Sequence, residues 1–168
     1  AFSLSGSYIP SEDNLIHHWD FEDGSGNEAQ DSANSTTPLT LNNMNSSNWK
    51  TCVDGSCLWY DGVDDYIEVD VDDWVGDFTV SQWVWANNSS QPTYASVFAV
   101  DDAAGSNGSF QHAVINGEWK LHTNQSQTFG AVQAQEWTHL VTVFEGGTAT
   151  QYLDGVLVGS TSYPSGSL

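Results

Sequence analysis

Hydrophobic and polar positions alternate in short runs along this chain, and Gly, Asn, Asp and Ser break the runs apart. Alternation places every second side chain on one face of a strand, whereas a helix repeats its apolar positions at three and four. No long stretch shows the helical spacing, so the pattern predicts an all-β protein. The expected strands are Ile16–Phe21, Leu58–Tyr60, Asp65–Val71, Phe78–Ala86, Ser96–Val100, Phe110–Ile115, Trp119–His122, Thr138–Phe144, Thr148–Asp154 and Val156–Ser160. Asp154-Gly155 and Asn116-Gly117 sit between apolar runs and predict tight two-residue hairpins. The polar stretches 30–47 and 101–109 read as the longest loops. So many short strands in one chain predict a sandwich or a closed barrel.

Composition narrows this further. A length of 168 residues predicts a single domain over 1–168, with 1–14 as an N-terminal extension or edge strand. Acidic residues number 22, against two lysines (Lys50 and Lys120) and no arginine, for a net charge of −20. Without a cationic patch to neutralise phosphates, nucleic acid and anionic membranes are excluded as partners. Disordered chains lack aromatics, but this one has eight Trp, seven Phe and six Tyr, enough to build a core. No apolar run approaches the ~18 residues that span a bilayer, so no membrane insertion is expected. Ala1-Phe2-Ser3 lacks a charged leader, and the chain reads as a mature protein or an excised domain. In Cys52-Val-Asp-Gly-Ser-Cys57, an Asp54-Gly55 turn would bring the two sulfurs within reach. A local disulfide is expected, with two free thiols as the alternative; the disulfide implies an extracellular, oxidising place.

Four strings, taken together and in order, resemble the laminin-G-like family of concanavalin A-like jelly-roll domains. The first is Leu15-Ile-His-His-Trp19-Asp-Phe21-Glu-Asp-Gly24-Ser-Gly26, followed by Asp31-Ser-Ala-Asn34. The second is Tyr60-Asp61-Gly62-Val63-Asp64-Asp65-Tyr66-Ile67-Glu68-Val69, and the third is Asp77-Phe78-Thr-Val80-Ser-Gln-Trp83-Val84. Trp137-Thr-His139-Leu-Val141-Thr-Val143 with Tyr152-Leu-Asp154-Gly155-Val-Leu-Val158 supplies the fourth. The resemblance implies a jelly-roll sandwich of two antiparallel sheets, and a recognition module of a secreted or cell-surface protein, an adhesin for example. The family continues after this hairpin with further strands, so the resemblance predicts a sandwich lacking its C-terminal strands, unless Ala1–Ser11 replaces one. By family position Trp19, Trp83, Trp137 and His139 are expected in the core.

Two binding chemistries follow. Calcium takes six to eight oxygens, and three groups offer them: Asp101 and Asp102 with Asn107; Glu22 and Asp23 with Asp31; and Asp61, Asp64 and Asp65. Relatives that hold calcium at the rim of a sheet favour the first group, and Glu22 and Asp31 are carried as a second. For each, the plain alternative is a solvated acidic loop or a side chain capping a turn. A glycan or other surface ligand needs exposed rings among polar groups. Alternation along 78–86 sets Thr79, Ser81, Trp83 and Trp85 on one face, and Trp85, beyond the family's usual Trp, is the favoured ring, with His112, Asp101, Asp102 and Asn107 as further contacts. Catalysis is the weaker expectation. Glu68, Asp70 and Asp72 share one strand face, as carboxylates do in jelly-roll β-glucanases, but they follow a laminin-G string and read better as a solvated acidic face. A spacer or split scaffold domain of a large adhesin is the third alternative.

Overall fold

The structure is a computed structural model that describes residues 14–70, 76–100, 110–123 and 126–163. Among these the regular structure is β, apart from 3-10 geometry at Asn14 and Ser46–Asn48, and every paired strand is antiparallel. The all-β expectation holds. The chain divides into two compact units, Ala1–Asp72 and Asp73–Leu168.

The first unit carries five short strands: β1 (Glu28–Ala29), β2 (Leu39–Asn42), β3 (Trp49–Thr51), β4 (Ser56–Leu58) and β5 (Tyr66–Glu68). They form a sheet in the order β1-β2-β5 and a separate β3-β4 hairpin. Ala29, Leu39, Leu41 and Trp49 make its core, with Trp19, Phe21, Met44, Leu58, Ile67 and Val69 packed around them. The run 16–21 pairs only through a single bridge from Trp19 to Asp31, not as the expected strand. Conversely, β2 lies inside the stretch expected to be one long loop, because its Leu-Thr-Leu-Asn alternation is too short to stand out among polar neighbours.

The second unit carries β6 (Phe78–Trp85), β7 (Ala95–Val100), β8 (Phe110–Ile115), β9 (Glu118–His122), β10 (Ser126–Ala131), β11 (Trp137–Glu145), β12 (Thr148–Leu153) and β13 (Val156–Ser162). These form two four-stranded sheets, β10-β9-β8-β7 and β13-β12-β11-β6. Three hairpins turn on Asn116-Gly117, Gly146-Gly147 and Asp154-Gly155, each with positive φ at both residues. Such turns match the twist of the strands they join. Val80, Val84, Leu140, Phe144 and Ala149 from one sheet meet Phe110, Val114, Trp119, Leu121 and Phe129 from the other in one buried cluster. The Phe110 and Phe144 rings lie 4.7 Å apart across it. Taken alone, this unit is a two-sheet sandwich with its core between the sheets. β13 is an outer strand of its sheet and exposes Val156, Leu157 and Val158.

Candidate functional site

Alternation along β6 turns Phe78, Val80, Gln82 and Val84 to the core and Thr79, Ser81, Trp83 and Trp85 to the outer face. β11 pairs with it so that Trp85 faces Trp137, Trp83 faces His139 and Ser81 faces Val141. β12 continues the last of these rows with Tyr152, opposite Val141. The outer face of this sheet is therefore aromatic along one end. Trp83 is 61% exposed. Its indole stacks on the imidazole of His139, ring centroids 4.7 Å apart and planes 12° from parallel. His139 Nε2 is also 2.8 Å from Ser81 Oγ, and its backbone N–H donates to Asp154 Oδ1 at 2.8 Å. Burial lowers the His139 pKa, and the Asp154 charge works against that, so the ring is neutral at neutral pH. Because β6 is an outer strand of its sheet, the indole face turned away from His139 looks out over the sheet's rim.

These positions correct the core expectation for three residues. Trp83 and His139 sit on the outer face, and Trp137 lies half-buried opposite Trp85 on that same face. Alternation groups Trp83 with Thr79 and Ser81 but does not tell which group faces the core, since β11 buries Thr138 and Thr142 on its core face. Trp85, the ring singled out from sequence, is on this face and partly buried.

His112 goes the other way. It is fully buried in the sandwich core, not on a ligand surface. Gln82 Nε2 donates to its Nδ1 at 2.9 Å, which leaves Nε2 to donate to Thr142 Oγ1 at 2.8 Å. Burial alone pushes its pKa down to about 4. The ring is a neutral pin between the two sheets, joining β6, β8 and β11. No ligand contact is open to it.

The acidic candidates separate as well. Asp101, Asp102, Asn107 and Asp72 lie outside the described residues. Asp31 is buried, and its carboxylate anchors the entry to the first unit. His17 Nδ1 and Thr37 Oγ1 donate to Oδ2, both at 2.7 Å, and the backbone N–H groups of His18, Ala33 and Asn34 donate to Oδ1. Burial on its own raises the Asp31 pKa, but the hydrogen bonds from His18, His17, Thr37 and Asn34 outweigh it and hold the group at about 2. The Glu22 carboxylate accepts the Ser56 N–H and occupies the space where a side chain at Gly55 would sit. Gly55 also has a φ of +64°. It shapes the loop closed by a Cys52–Cys57 disulfide. Glu22 and Asp31 are thus both committed to holding loops, and they join no metal-sized cluster among the described residues.

The group that does converge is the third. Carboxylate oxygens of Asp61, Asp64 and Asp65 lie within 4.8 Å of one another on an exposed loop and can hold a metal ion. Asp65 Oδ2 accepts from Asn48 Nδ2 and from the Asp61 N–H, both at 2.8 Å, which fixes the loop. Glu68 and Asp70 line a shallow depression of about 460 Å³ with Thr36, Thr37, Pro38, Thr40 and Val69. Among the described residues, no helix is long and apolar enough to cross a membrane.

A laminin-G-type family model, described as the concanavalin A-like lectin/glucanases superfamily, matches residues 61–168. The chain belongs to the concanavalin A-like lectin/glucanase superfamily. The match takes in the second string from Asp61 onward and the whole of the third and fourth, and leaves the first, 15–34, outside it. Comparison with curated proteins and with solved structures finds no match. The superfamily name joins binding modules and hydrolases on one framework, so the assignment fixes the scaffold and leaves function to the individual site. Among the described residues, the aromatic outer face and the Asp61–Asp65 loop carry groups able to meet a ligand or a cation.

Proposed function

We propose that this protein is a non-catalytic recognition module that binds a glycan on the outer face of the β13-β12-β11-β6 sheet. One observation carries this reading: Trp83 stands 61% exposed with one face of its indole stacked on His139. An exposed indole of fixed orientation costs little entropy on binding and offers a flat apolar surface to the C–H face of a sugar ring. Ser81 and Tyr152 place hydroxyl groups on the same face for the sugar's rim. The loop of Asp61, Asp64 and Asp65 fits calcium in part: three carboxylates give half of a minimal coordination shell, and water would complete it. In this reading bound calcium stiffens that loop. The disulfide supports an extracellular or cell-surface setting, with neighbouring domains in a larger secreted protein.

A glycan array probed with the wild-type protein and with Trp83→Ala tests the proposal. Binding of a defined sugar class that Trp83→Ala abolishes supports it; identical profiles overturn it. A second reading draws on the depression that Glu68 and Asp70 line together: a jelly-roll hydrolase would use two such carboxylates as nucleophile and acid/base. Hydrolysis of a β-glucan that Glu68→Gln abolishes would establish that reading instead.

A further inference from the structure

The glycan reading leaves open which sugars the face accepts, and the charge around Trp83 speaks to that. Across the described parts of β6, β11, β12, β13 and the residues that flank them, the fixed charges are Asp77, Glu136, Glu145 and Asp154, all exposed carboxylates, with neither lysine nor arginine. Lys120 stands on β9 in the other sheet and is paired with Glu118 at 3.1 Å. Lys50 belongs to β3 of the first unit. His139, beside the indole, is neutral at neutral pH. An anionic sugar brought to Trp83 would meet repulsion with no lysine or arginine on this sheet to offset it.

The row across the sheet is more specific. Trp83 pairs with His139. Asp154, in the turn that follows β12, donates its N–H to the His139 carbonyl at 2.9 Å and takes the His139 N–H on Oδ1, while its Oδ2 accepts no hydrogen bond among the described residues. With strands spaced about 4.8 Å apart, Asp154 lies about 10 Å from Trp83 along that row, roughly the reach of a disaccharide. An indole face attracts cations through its quadrupole, worth about 0.5–2 kcal/mol depending on exposure. A ring on Trp83 and a carboxylate one or two sugars away together make a π surface and a counter-ion for the same ligand.

We infer that this face takes a cationic glycan, a polymer of amino sugars carrying free ammonium groups, with the sugar on Trp83 and an ammonium at Asp154. The inference rests on the glycan reading, and its test separates the two. Calorimetric titrations compare a glucosamine oligomer, its N-acetylated counterpart of equal length and a polyuronate, close to neutral pH, where a share of the sugar amines is protonated and the protein stays folded and dispersed. The expected result is binding of the glucosamine oligomer about tenfold tighter than the N-acetylated one at low salt, with the gap closing at high salt, and no binding of the polyuronate. Asp154→Asn, which keeps a side-chain oxygen for the His139 N–H, should bring the charged oligomer's affinity down to about that of the neutral one, while Trp83→Ala should weaken both. Equal affinity for the charged and neutral oligomers overturns the inference and leaves the glycan reading standing. Failure of every sugar to bind overturns both. Tight binding of polylysine with no binding of the glucosamine oligomer also overturns it, in favour of a basic polypeptide partner.

Discussion

Trp83 and His139 lie face to face across two neighbouring strands, and the stack leaves one side of the indole open to solvent. The pair divides the work: His139 sets the angle of the ring, and Trp83 presents it. Trp83→Ala removes a surface ring, so folding stability should change by less than about 1 kcal/mol, while glycan affinity falls at least tenfold, or about 1.4 kcal/mol. His139→Ala frees the indole to rotate and should weaken binding by a smaller factor. Chemical denaturation and calorimetry on the same samples check both expectations.

The buried His112 makes the sandwich sensitive to acid. Its folded pKa is about 4, against 6.5 for the unburied ring. A group whose pKa falls on folding stabilises the native state fully above the unfolded value, and that contribution is lost as pH drops toward the folded one. The interval is worth about 3 kcal/mol, so unfolding free energy should decline between pH 6.5 and about 4. His112→Leu should flatten this segment of the pH profile, though it leaves Gln82 and Thr142 without their shared partner.

Asp31 gives the first unit a second, more acidic limit. With its folded pKa held at about 2, below the ordinary 3.8, its contribution is present above the ordinary value and disappears as pH falls through about 2. Asp31→Ala strands the N–H groups of His18, Ala33 and Asn34 and should cost roughly 2–4 kcal/mol. Asp31→Asn keeps one acceptor oxygen and should cost less. Thermal melts of the three proteins rank them.

Calcium can be tested without knowing the glycan. A ligand that binds the native state alone raises the melting temperature with its concentration. Millimolar calcium should therefore raise the melting point relative to EDTA, and the double substitution Asp61→Asn with Asp65→Asn should abolish the increment. An unchanged melting point in the wild type would remove calcium from the proposal. An increment that persists in the double variant would move the site elsewhere.

The long strands were legible because their alternation is strong and their turns are written in dipeptides. Phe78–Trp85, Phe110–Ile115 and the β12-β13 hairpin fall where apolar spacing and Asp154-Gly155 place them. Strands poor in apolar residues were not: β1 and β3 are too short, and β10 holds only Phe129 and Ala131 among polar neighbours and a glycine. Which face of a strand meets the core was harder still. Periodicity grouped Trp83 with Ser81 and Thr79 but could not say which group was inside, and resemblance to the family favoured the wrong side. His112 failed for the complementary reason, since its two hydrogen-bond partners lie 30 residues away on either side and only the fold brings them together.

Leaving Val156, Leu157 and Val158 open on the outer strand β13 would ordinarily invite copies of the chain to add strand to strand. A charge of −20 keeps the copies apart, so acidity serves here as a colloidal stabiliser for a rim that nothing else in the described strand blunts. That protection vanishes near the isoelectric point of about 4.1, which is also where His112 takes up its proton. Mild acid therefore removes the repulsion and loosens the sandwich over the same narrow range, and the neutral and alkaline side is where this protein stays dispersed.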